Sequence, residues 1–440
     1  MNMSGILLAS CIAGSTAFAG SAPVVQHRLL PDAGVEGDDF GLAVDIDQQT
    51  VIVGATHWNR NGEWLPNIPA AYLFDAVTGE QIARLQAEDT AEEIFFAIDV
   101  ALQGGRAFVG ASDDVHDGDP HGSIYIFDSK TGAGLGKWTS STGTPYEGFG
   151  FPIEATESFL AVGALGHDNF KGSVSLLDLN TGEELSRIVP EEVSDFSSFG
   201  FGLSVSESSL FARSFAGLAP GGVVLNASVY MYDITDPKNP SQRWMLTEEV
   251  FDSTLCIAMD QNLAVMLTRV AQPKGDGLGY VHVFDVLTGD ELRVFAFSES
   301  DLQVSFNFLV ELQDDIAYIA HSNTGELFTV NIETGVIIDR MQIKNAHSEQ
   351  LGYGLAVDGD RLVAGATRAN DNGINSGAAY VFSIGCIADF TGDGTLNFFD
   401  IAAFLTAFTA NDPIADFNND GRWNFFDVAQ FLAAFSAGCP

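Results

Sequence analysis

A motif of the form aromatic-Asp-x-x-Thr-Gly recurs about every 50 residues, and this period constrains the fold more than any other feature of the chain. The six copies, two of them degenerate, begin at Phe74-Asp75, Phe127-Asp128, Leu177-Asp178, Tyr232-Asp233, Phe284-Asp285 and Val330-Asn331. Because the Asp recurs in most copies, we interpret it as a residue that caps a turn rather than as a catalytic group.

A second signature precedes the first in each repeat: an aromatic-Gly pair, a short apolar run, and then Val-Gly-Ala. Its clearest copies are Phe40-Gly41 with Val53-Gly54-Ala55, Phe149-Gly150 with Val162-Gly163-Ala164, and Tyr353-Gly354 with Ala364-Gly365-Ala366. Short β-rich segments separated by Gly, Asp and Asn turns give four strands per repeat, which describes one propeller blade. The repeats start near Phe40, Phe95, Phe149, Phe199, Leu255, Phe306 and Tyr353. We therefore predict an all-β seven-bladed propeller over residues 22–385.

The two ends of the repeat region complement each other. The seventh repeat ends at Ala379–Ile384 and lacks an outer strand, whereas Val24–Leu30 is an orphan strand that matches the outer-strand segment Glu80–Leu85. We predict that the N-terminal strand completes blade seven and closes the ring, which leaves no open β-edge between the first and last blades.

These repeats resemble the FG-GAP family, whose blades form the seven-bladed propellers of integrin α-chains and of many secreted bacterial proteins. Calcium-binding members of that family carry an Asp-x-Asp-x-Asp-Gly loop between the two signatures. The corresponding segments here, such as Asp45–Thr50 and Leu102–Arg106, offer too few ligands. We therefore do not expect calcium sites in the blades.

The C-terminal residues 386–440 carry the same calcium-loop pattern twice, at Asp389–Asp400 and Asp416–Asp427. Each copy has oxygen-bearing side chains at loop positions 1, 3, 5, 9 and 12, and a glycine at position 6 that allows a sharp turn. This spacing predicts two bound Ca²⁺ ions, which the number of ligands favours over Mg²⁺.

The paired loops resemble dockerin domains, which attach extracellular proteins to cohesin receptors. The resemblance implies a paired EF-hand, dockerin-like α-helical domain over residues 386–440. The implied side-chain ligands are Asp389, Thr391, Asp393, Asn397 and Asp400 in the first loop and Asp416, Asn418, Asp420, Asn424 and Asp427 in the second, with backbone carbonyl ligands at Thr395 and Arg422.

The chain departs from cohesin-binding dockerins at loop positions 10 and 11, where those domains usually have small or polar residues. Here these positions hold Phe398-Phe399 and Phe425-Phe426. The four rings either fill the core of the module or form an exposed apolar patch that binds a partner. The following helices repeat apolar residues at i, i+3, i+4 and i+7, which predicts one buried stripe on each.

The cysteines fit an exported protein. Cys386 and Cys439 bracket the calcium module, and we expect them to form one disulfide in this small domain. Cys256 lies in an apolar strand pattern, which indicates a buried structural thiol.

The N-terminus predicts export. Residues 1–19 have the apolar stretch and the small-residue Ala17-Phe18-Ala19 site of a signal peptide. Leu8–Cys11 offers an alternative, a lipoprotein cleavage box, which would anchor the protein through Cys11. No other stretch approaches the length of a membrane span. The formal net charge of −40 excludes binding to nucleic acid or to anionic membranes.

Catalytic motifs are missing from the sequence: the eight His form no zinc-binding pair, and there is no Gly-x-Ser-x-Gly elbow. We therefore expect a secreted, non-enzymatic binding or adhesion protein whose propeller face takes an extracellular protein or glycan. Its tail would bind a cohesin-like or cell-envelope partner. The alternative is a polysaccharide-active enzyme, a glycoside hydrolase or lyase, or a cellulosome-like component with a dockerin-like tail. An enzyme should show convergent carboxylates or a His in the axial mouth of the propeller.

Overall fold

The structure is a computed structural model. It describes residues 23–56, 69–87, 95–116, 119–215, 217–219, 223–225, 227–247, 253–270, 278–297, 308–322, 324–342, 349–384, 388–391, 396–410, 415 and 422–437. Ala22–Ile384 forms one compact unit, and Gly385–Pro440 belongs to a second.

The larger unit is a seven-bladed β-propeller of four-stranded antiparallel sheets, as the repeats predict. Blade I comprises Val44–Asp47, Thr50–Ala55, Ala70–Asp75 and Gln81–Leu85. Blade II comprises Phe96–Gln103, Arg106–Ala111, Ser123–Asp128 and Gly134–Thr139. Blade III comprises Phe149–Ala155, Phe159–Ala164, Ser173–Asp178 and Glu184–Ile188. Blade IV comprises Gly202–Val205, Ser209–Arg213, Ser228–Asp233 and Ser241–Thr247. Blade V comprises Ser253–Asp260, Leu263–Val270, Leu278–Asp285 and Glu291–Phe297. Blade VI comprises Phe308–Gln313, Ile316–His321, Glu326–Asn331 and Val336–Gln342. Blade VII comprises Leu351–Asp358, Arg361–Ala366, Ala378–Ser383 and Val24–Leu29.

Small elements lie outside the blades. Two short hairpins pair Val115–His116 with Asp119–Pro120 and Gly217–Ala219 with Val223–Leu225. A short turn with positive φ at Asp168, Asn169 and Phe170 spans His167–Phe170. The first strand of each blade is the inner strand, and the inner strands of neighbouring blades contact one another in a closed cycle.

The N-terminal strand closes the ring, which confirms the predicted closure. Val24–Leu29 pairs antiparallel with Ala378–Ser383 as the outer strand of blade VII. Arg28 fixes this pairing: its guanidinium donates to Glu349 at 3.1 Å and to the Tyr380 hydroxyl, and lies 4.9 Å from the centre of the Tyr380 ring. The first and last blades are therefore held together by a strand taken from the opposite end of the repeat region.

Among the described residues, the hydrophobic core of the propeller forms seven clusters, one between each pair of neighbouring blades. Alternate residues of one strand enter opposite clusters: Val51 and Val53 pack between blades VII and I, and Ile52 packs between blades I and II. Because both faces of each blade are covered, its middle strands are apolar at successive positions.

The glycines of the second signature allow adjacent blades to approach closely. A Cβ atom on Gly110 of blade II would lie 2.0 Å from the carbonyl oxygen of Gly150, the aromatic-Gly glycine of blade III. A Cβ on Gly365 of blade VII would lie 1.8 Å from the carbonyl oxygen of Gly41 in blade I. The two halves of the signature thus pack against each other across blade boundaries.

The seventh copy of the aromatic-Gly pair differs from the prediction by two residues. Leu351, not Tyr353, is buried and pairs with Ala366, as Phe149 pairs with Ala164 in blade III. Gly352 has φ +95°, the left-handed value that glycine adopts at this place in other blades. An aliphatic residue fills the aromatic position in blade VII. In blade II the equivalent residue is Phe96 rather than Phe95, since Phe96 pairs with Ala111.

Two helices dominate the described part of the second unit: α1 (Phe398–Ala410) and α2 (Phe425–Ala437). Phe404 of α1 and Phe431 of α2 are 1% exposed and stack with ring centroids 4.0 Å apart. Phe390 contacts both rings edge-on. These contacts confirm that the apolar stripes of the two helices pack against each other and form the core of this unit.

The closing strand allows a test of ring closure with an internal control. Leu29 is 1% exposed, whereas Val25, on the same strand, is 40% exposed. We expect Leu29→Ala to destabilise the propeller by about 2–5 kcal/mol because it removes buried contacts between blades VII and I. Val25→Ala should change stability by less than about 0.5 kcal/mol. Thermal unfolding of the two variants measures the difference, and equal melting temperatures would contradict closure by this strand.

Candidate functional site

The first predicted ligand set lies where its loop meets helix α1. Asn397 precedes the helix, and its Oδ1 accepts the Phe399 N–H at 2.8 Å. In the opposite direction, Oδ2 of Asp400, in the first turn of the helix, accepts the Asn397 N–H at 2.8 Å. This reciprocal pair is a capping box, which fixes the direction in which the loop enters the helix.

The Asp400 carboxylate is fully buried and joins three of the predicted ligands. Its Oδ1 accepts the Thr391 hydroxyl at 2.8 Å, and the same hydroxyl lies 3.2 Å from Asp389 Oδ1. Burial opposes ionisation of Asp400, but the hydrogen bonds from Asn397 and Thr391 outweigh it and lower the pKa. Oxygens from loop positions 1, 3 and 12 therefore converge around a buried carboxylate, the donor set that a hard cation prefers.

The second loop repeats this geometry where it is described. Asn424 Oδ1 accepts the Phe426 N–H at 2.9 Å, and Asp427 Oδ2 accepts the Asn424 N–H at 2.7 Å. Asp427 is fully buried, and the Arg422 carbonyl accepts from Asn424 Nδ2. The other predicted ligands and the predicted disulfide lie outside the described residues: Asp393, Thr395, Asp416, Asn418, Asp420, Cys386 and Cys439.

The four phenylalanines at loop positions 10 and 11 are exposed rather than buried. Phe398, Phe399, Phe425 and Phe426 expose 73%, 68%, 76% and 67% of their surface. They stand at the starts of the two helices, outside the core that Phe404 and Phe431 form. Of the two interpretations that the sequence left open, core filling is wrong, and the patch is apolar surface on the second unit.

Carboxyl groups on the inner strands of the propeller bind the next blade. Asp45 of blade I accepts the backbone N–H of Leu102 in blade II at 2.6 Å. Asp99 of blade II accepts that of Ile153 in blade III at 2.9 Å. An inner strand has one edge without a partner strand, so its N–H groups need other acceptors. These two carboxyls therefore have a structural role.

The same kind of bond recurs at other blade boundaries. Ser204 Oγ of blade IV accepts the Met259 N–H of blade V at 2.9 Å. Asp358 of blade VII accepts the Gln48 N–H of blade I at 2.5 Å, at the boundary where the ring closes. Sequence reasoning missed these residues because acceptor and donor are far apart in the chain and no motif connects them.

Four carboxyls from four blades act on one another around the axis. Burial raises the pKa values of Asp45 and Asp99 to about 7 and that of Glu311 to about 8. Burial also raises the pKa of Glu154 well above its usual value, and the negative charges of Glu311, Asp45 and Asp99 add to the effect. Convergent carboxyls, a feature expected of an enzyme, are thus present around the axis.

Two other predictions from the sequence are confirmed. Asp75 Oδ1 accepts the N–H groups of Val77 and Thr78, both at 2.8 Å, so the recurrent Asp caps its turn. The N–H of Thr78 is the main cause of the lowered pKa of Asp75. Cys256 is a buried free thiol, and burial raises its pKa to about 12, which disfavours the nucleophilic thiolate at neutral pH.

Sequence comparison identifies the repeats. The family described as FG-GAP repeat matches residues 24–74, 80–127 and 345–382, which cover the closing strand, blades I and VII, and the first three strands of blade II. The chain contains FG-GAP repeats. No curated protein sequence matches it significantly.

Solved structures share the propeller fold at low sequence identity. The WD40 domain of Toxoplasma gondii coronin is 7% identical with a TM-score of 0.52, over 84% of this chain and 87% of that one. Kuenenia stuttgartiensis hydrazine synthase is 11% identical with a TM-score of 0.51, over 77% of this chain and 94% of that one. At these identities only the fold is shared.

Within the described residues, no helix is long and apolar enough to cross a membrane.

The axial carboxyls make stability depend on pH. The pKa of Glu311 is raised to about 8 in the folded chain, so the folded state holds this proton more tightly than the unfolded state. The resulting stabilisation is complete below the ordinary carboxyl pKa and is lost as pH rises through about 8. We expect Glu311→Gln to raise the melting temperature at pH 9 and to reduce its fall between pH 5 and pH 9. The exposed control Glu333→Gln should leave that slope unchanged, and identical slopes for all three proteins would contradict the assignment.

Proposed function

We propose that this protein is a secreted, non-enzymatic binding protein in which the FG-GAP propeller provides a binding face and the C-terminal unit attaches it to an extracellular or cell-envelope partner. The main support for this proposal is the two exposed Phe-Phe pairs, each of which lies at the end of a loop that matches the calcium-loop pattern. Four phenylalanines on a small helical unit are more apolar surface than solubility favours, and this surface suits a protein partner.

Calcium would order this attachment surface. In each loop the position-12 carboxylate, Asp400 or Asp427, is buried and also caps the helix that carries a Phe pair. A Ca²⁺ ion held by the loop oxygens would compensate the buried negative charge and fix the helix start. Because the chain carries a formal charge of −40, a partner with an apolar surface rimmed by basic residues is favoured.

Titration of the full-length protein tests the calcium assignment. We expect isothermal titration calorimetry to show two Ca²⁺ ions bound per chain. Asp400→Asn with Asp427→Asn keeps the shape of the capping residues but removes one charged ligand from each loop, so calcium affinity should fall at least about tenfold. Asp236→Asn, a turn residue of the propeller, is the control. Absence of calcium heat in the wild-type protein would refute this part of the proposal.

Retention on cell envelopes of the source organism tests the attachment surface. We expect the full-length protein to be retained in calcium and released by EDTA. Changing Phe398, Phe399, Phe425 and Phe426 to Ser should abolish retention, because it removes the exposed rings and leaves the Phe404–Phe431 core intact. Val77→Ser with Leu287→Ser removes exposed apolar side chains from propeller turns and should have no effect. Undiminished retention of the fourfold variant would contradict the assignment.

A polysaccharide-active enzyme is the second candidate, because Asp45, Asp99, Glu154 and Glu311 converge around the axis. A glycosidase uses one carboxylic acid and one carboxylate on either side of the scissile bond. Asp45 and Asp99 are occupied by backbone N–H groups of the next blade, which leaves Glu154 and Glu311. Release of reducing sugar by the wild-type protein, lost in Glu154→Gln, would favour this candidate over a binding protein.

A further inference from the structure

Four exposed aromatic side chains follow one another on one face of the propeller, along blades III and IV. Because the strands of each blade are antiparallel, this face carries both the turns between second and third strands and the connections between blades. The four residues expose between 38% and 69% of their surface, and we call them the aromatic arc: Tyr146, Phe170, Phe196 and Phe215.

Three backbone hydrogen bonds join the segments that carry the arc. They run from Gly166 N to Glu147 O at 2.8 Å, from Ser198 N to Phe170 O at 2.7 Å and from Phe215 N to Ser197 O at 2.7 Å. The first joins the connection before blade III to the turn within it. The second joins that turn to the connection before blade IV, and the third joins this connection to the turn within blade IV. The framework is therefore continuous, which reduces the entropy lost when a partner binds.

The junction between blades VII and I forms the same backbone bonds without aromatic residues. There Gly37 N donates to Ile374 O at 2.9 Å, as Phe196 N donates to Asn169 O at 3.1 Å. Tyr146 N makes the corresponding bond before blade III. In the turn of blade VII, Asn375 O accepts the bond that Phe170 O accepts in blade III.

Three residues of the arc have a backbone conformation that bulky side chains rarely adopt. The φ angle is +62° at Tyr146, +60° at Phe170 and +66° at Phe196. The counterparts Gly37 and Asn375 have φ +79° and +55°, and glycine and asparagine are favoured in this conformation. The fold therefore does not require aromatic side chains at these three places.

Carboxylates outnumber basic groups in the segments that carry the arc. Lys171 Nζ lies 2.7 Å from Asp168 Oδ2 and 3.8 Å from Asp195 Oδ1, and both carboxylates are about half exposed. Glu191 and Glu192 are exposed in the same connection as Asp195. We call these four carboxylates the acidic rim. One ammonium group does not neutralise them, and the net charge of −40 adds to their field, so a cationic partner is attracted and an anionic one repelled.

Arginine is the cation that this surface suits. Arg213 already borders the arc: its Cζ lies 4.8 Å from the centre of the Phe201 ring, and that ring packs on Phe215 with centroids 5.1 Å apart. A guanidinium stacks on an aromatic ring through its face and pairs with a carboxylate through its edge, whereas the lysine ammonium is a more strongly hydrated point charge. Exposed rings beside carboxylates offer both contacts to a guanidinium.

We propose that the aromatic arc docks an arginine-containing, apolar segment of an extracellular protein. Apolar side chains of that segment pack on the exposed rings, and its guanidinium groups pair with the acidic rim. This inference rests on the proposed binding function and names the partner of the propeller face.

The junction of blades VII and I supplies a variant that removes rings but no charge. Tyr146→Gly, Phe170→Asn and Phe196→Gly together introduce the residue types of Gly37 and Asn375. We expect the melting temperature not to fall, because each new residue tolerates positive φ. The net charge stays at −40, so non-specific attraction of cationic peptides is unchanged.

Selection of peptides on the full-length protein tests the partner class. A random library of displayed dodecapeptides is selected on the wild type and counter-selected on the triple variant. We expect the enriched peptides to combine Arg with aliphatic or aromatic residues. In fluorescence anisotropy, the most enriched peptide should bind the triple variant at least about tenfold more weakly than the wild type. Replacing its Arg by Lys should weaken binding, and replacing it by Glu should abolish binding.

Matched variants separate the arc and its rim from the rest of the surface. Ile374→Ser removes an exposed apolar side chain from the same face at blade VII and should bind the peptide as the wild type does. Asp168→Asn with Asp195→Asn should weaken binding several-fold. Asp290→Asn with Glu333→Gln removes two exposed charges from turns on the opposite face and should have no effect.

Three results overturn the inference: no enrichment over the triple variant, enriched peptides that lack Arg, or equal peptide affinity of wild type and triple variant. A neutral polysaccharide that retards the wild type but not the triple variant in native gels would assign the arc to a saccharide instead. The triple variant should keep calcium-dependent retention on envelopes, and the fourfold Phe variant of the tail should keep peptide binding. Failure of the arc is thereby distinguished from failure of the proposed attachment function.

Discussion

Burial of apolar surface between neighbouring blades is the interaction on which the propeller depends. No blade has a core of its own, because the residues of each sheet alternate between the clusters on its two sides, as Val51 and Ile52 do. An incomplete ring would expose two apolar faces and a strand edge. The pairing of Val24–Leu29 with Ala378–Ser383 prevents this. A strand from the start of the chain therefore secures the packing of all seven blades.

Close packing around the axis explains the carboxyls that line it. The glycines of the repeat let the second strand of one blade approach the backbone of the next blade, and the inner strands contact one another around the axis. The free edges of these strands then need hydrogen-bond acceptors, which Asp45 and Asp99 provide across two boundaries. This solution buries carboxyl groups near the axis, and burial raises the pKa values of Asp45 and Asp99. The same groups that join the blades thus make the ring sensitive to high pH.

Features that repeat or act locally could be read from the sequence. The seven blades, the turn-capping Asp75 and the closing strand follow from spacing and from short-range hydrogen bonding. The register of blade VII did not, because Gly352 and Gly354 are both available and Leu351 replaces the expected aromatic residue. The bonds of Asp45 and Asp99 join residues more than 50 positions apart, so no local pattern reveals them. Exposure of Phe398 and Phe399 was also undecided, because helical periodicity does not fix which way the first turn of a helix faces.

A comparison of equivalent positions at different blade junctions distinguishes the residues that the fold requires from those that it does not. The same backbone hydrogen bonds form with Gly37 at one junction and with Phe196 at another. The architecture therefore does not require a particular side chain at this position, although the positive φ of the backbone there favours glycine. A bulky residue with positive φ costs about 1–2 kcal/mol relative to glycine. Such strain persists where the surrounding structure enforces it and is concentrated at functional sites. In a repeat protein the glycine-bearing copy serves as the reference, and the positive φ of Tyr146, Phe170 and Phe196 marks where other blade junctions depart from it.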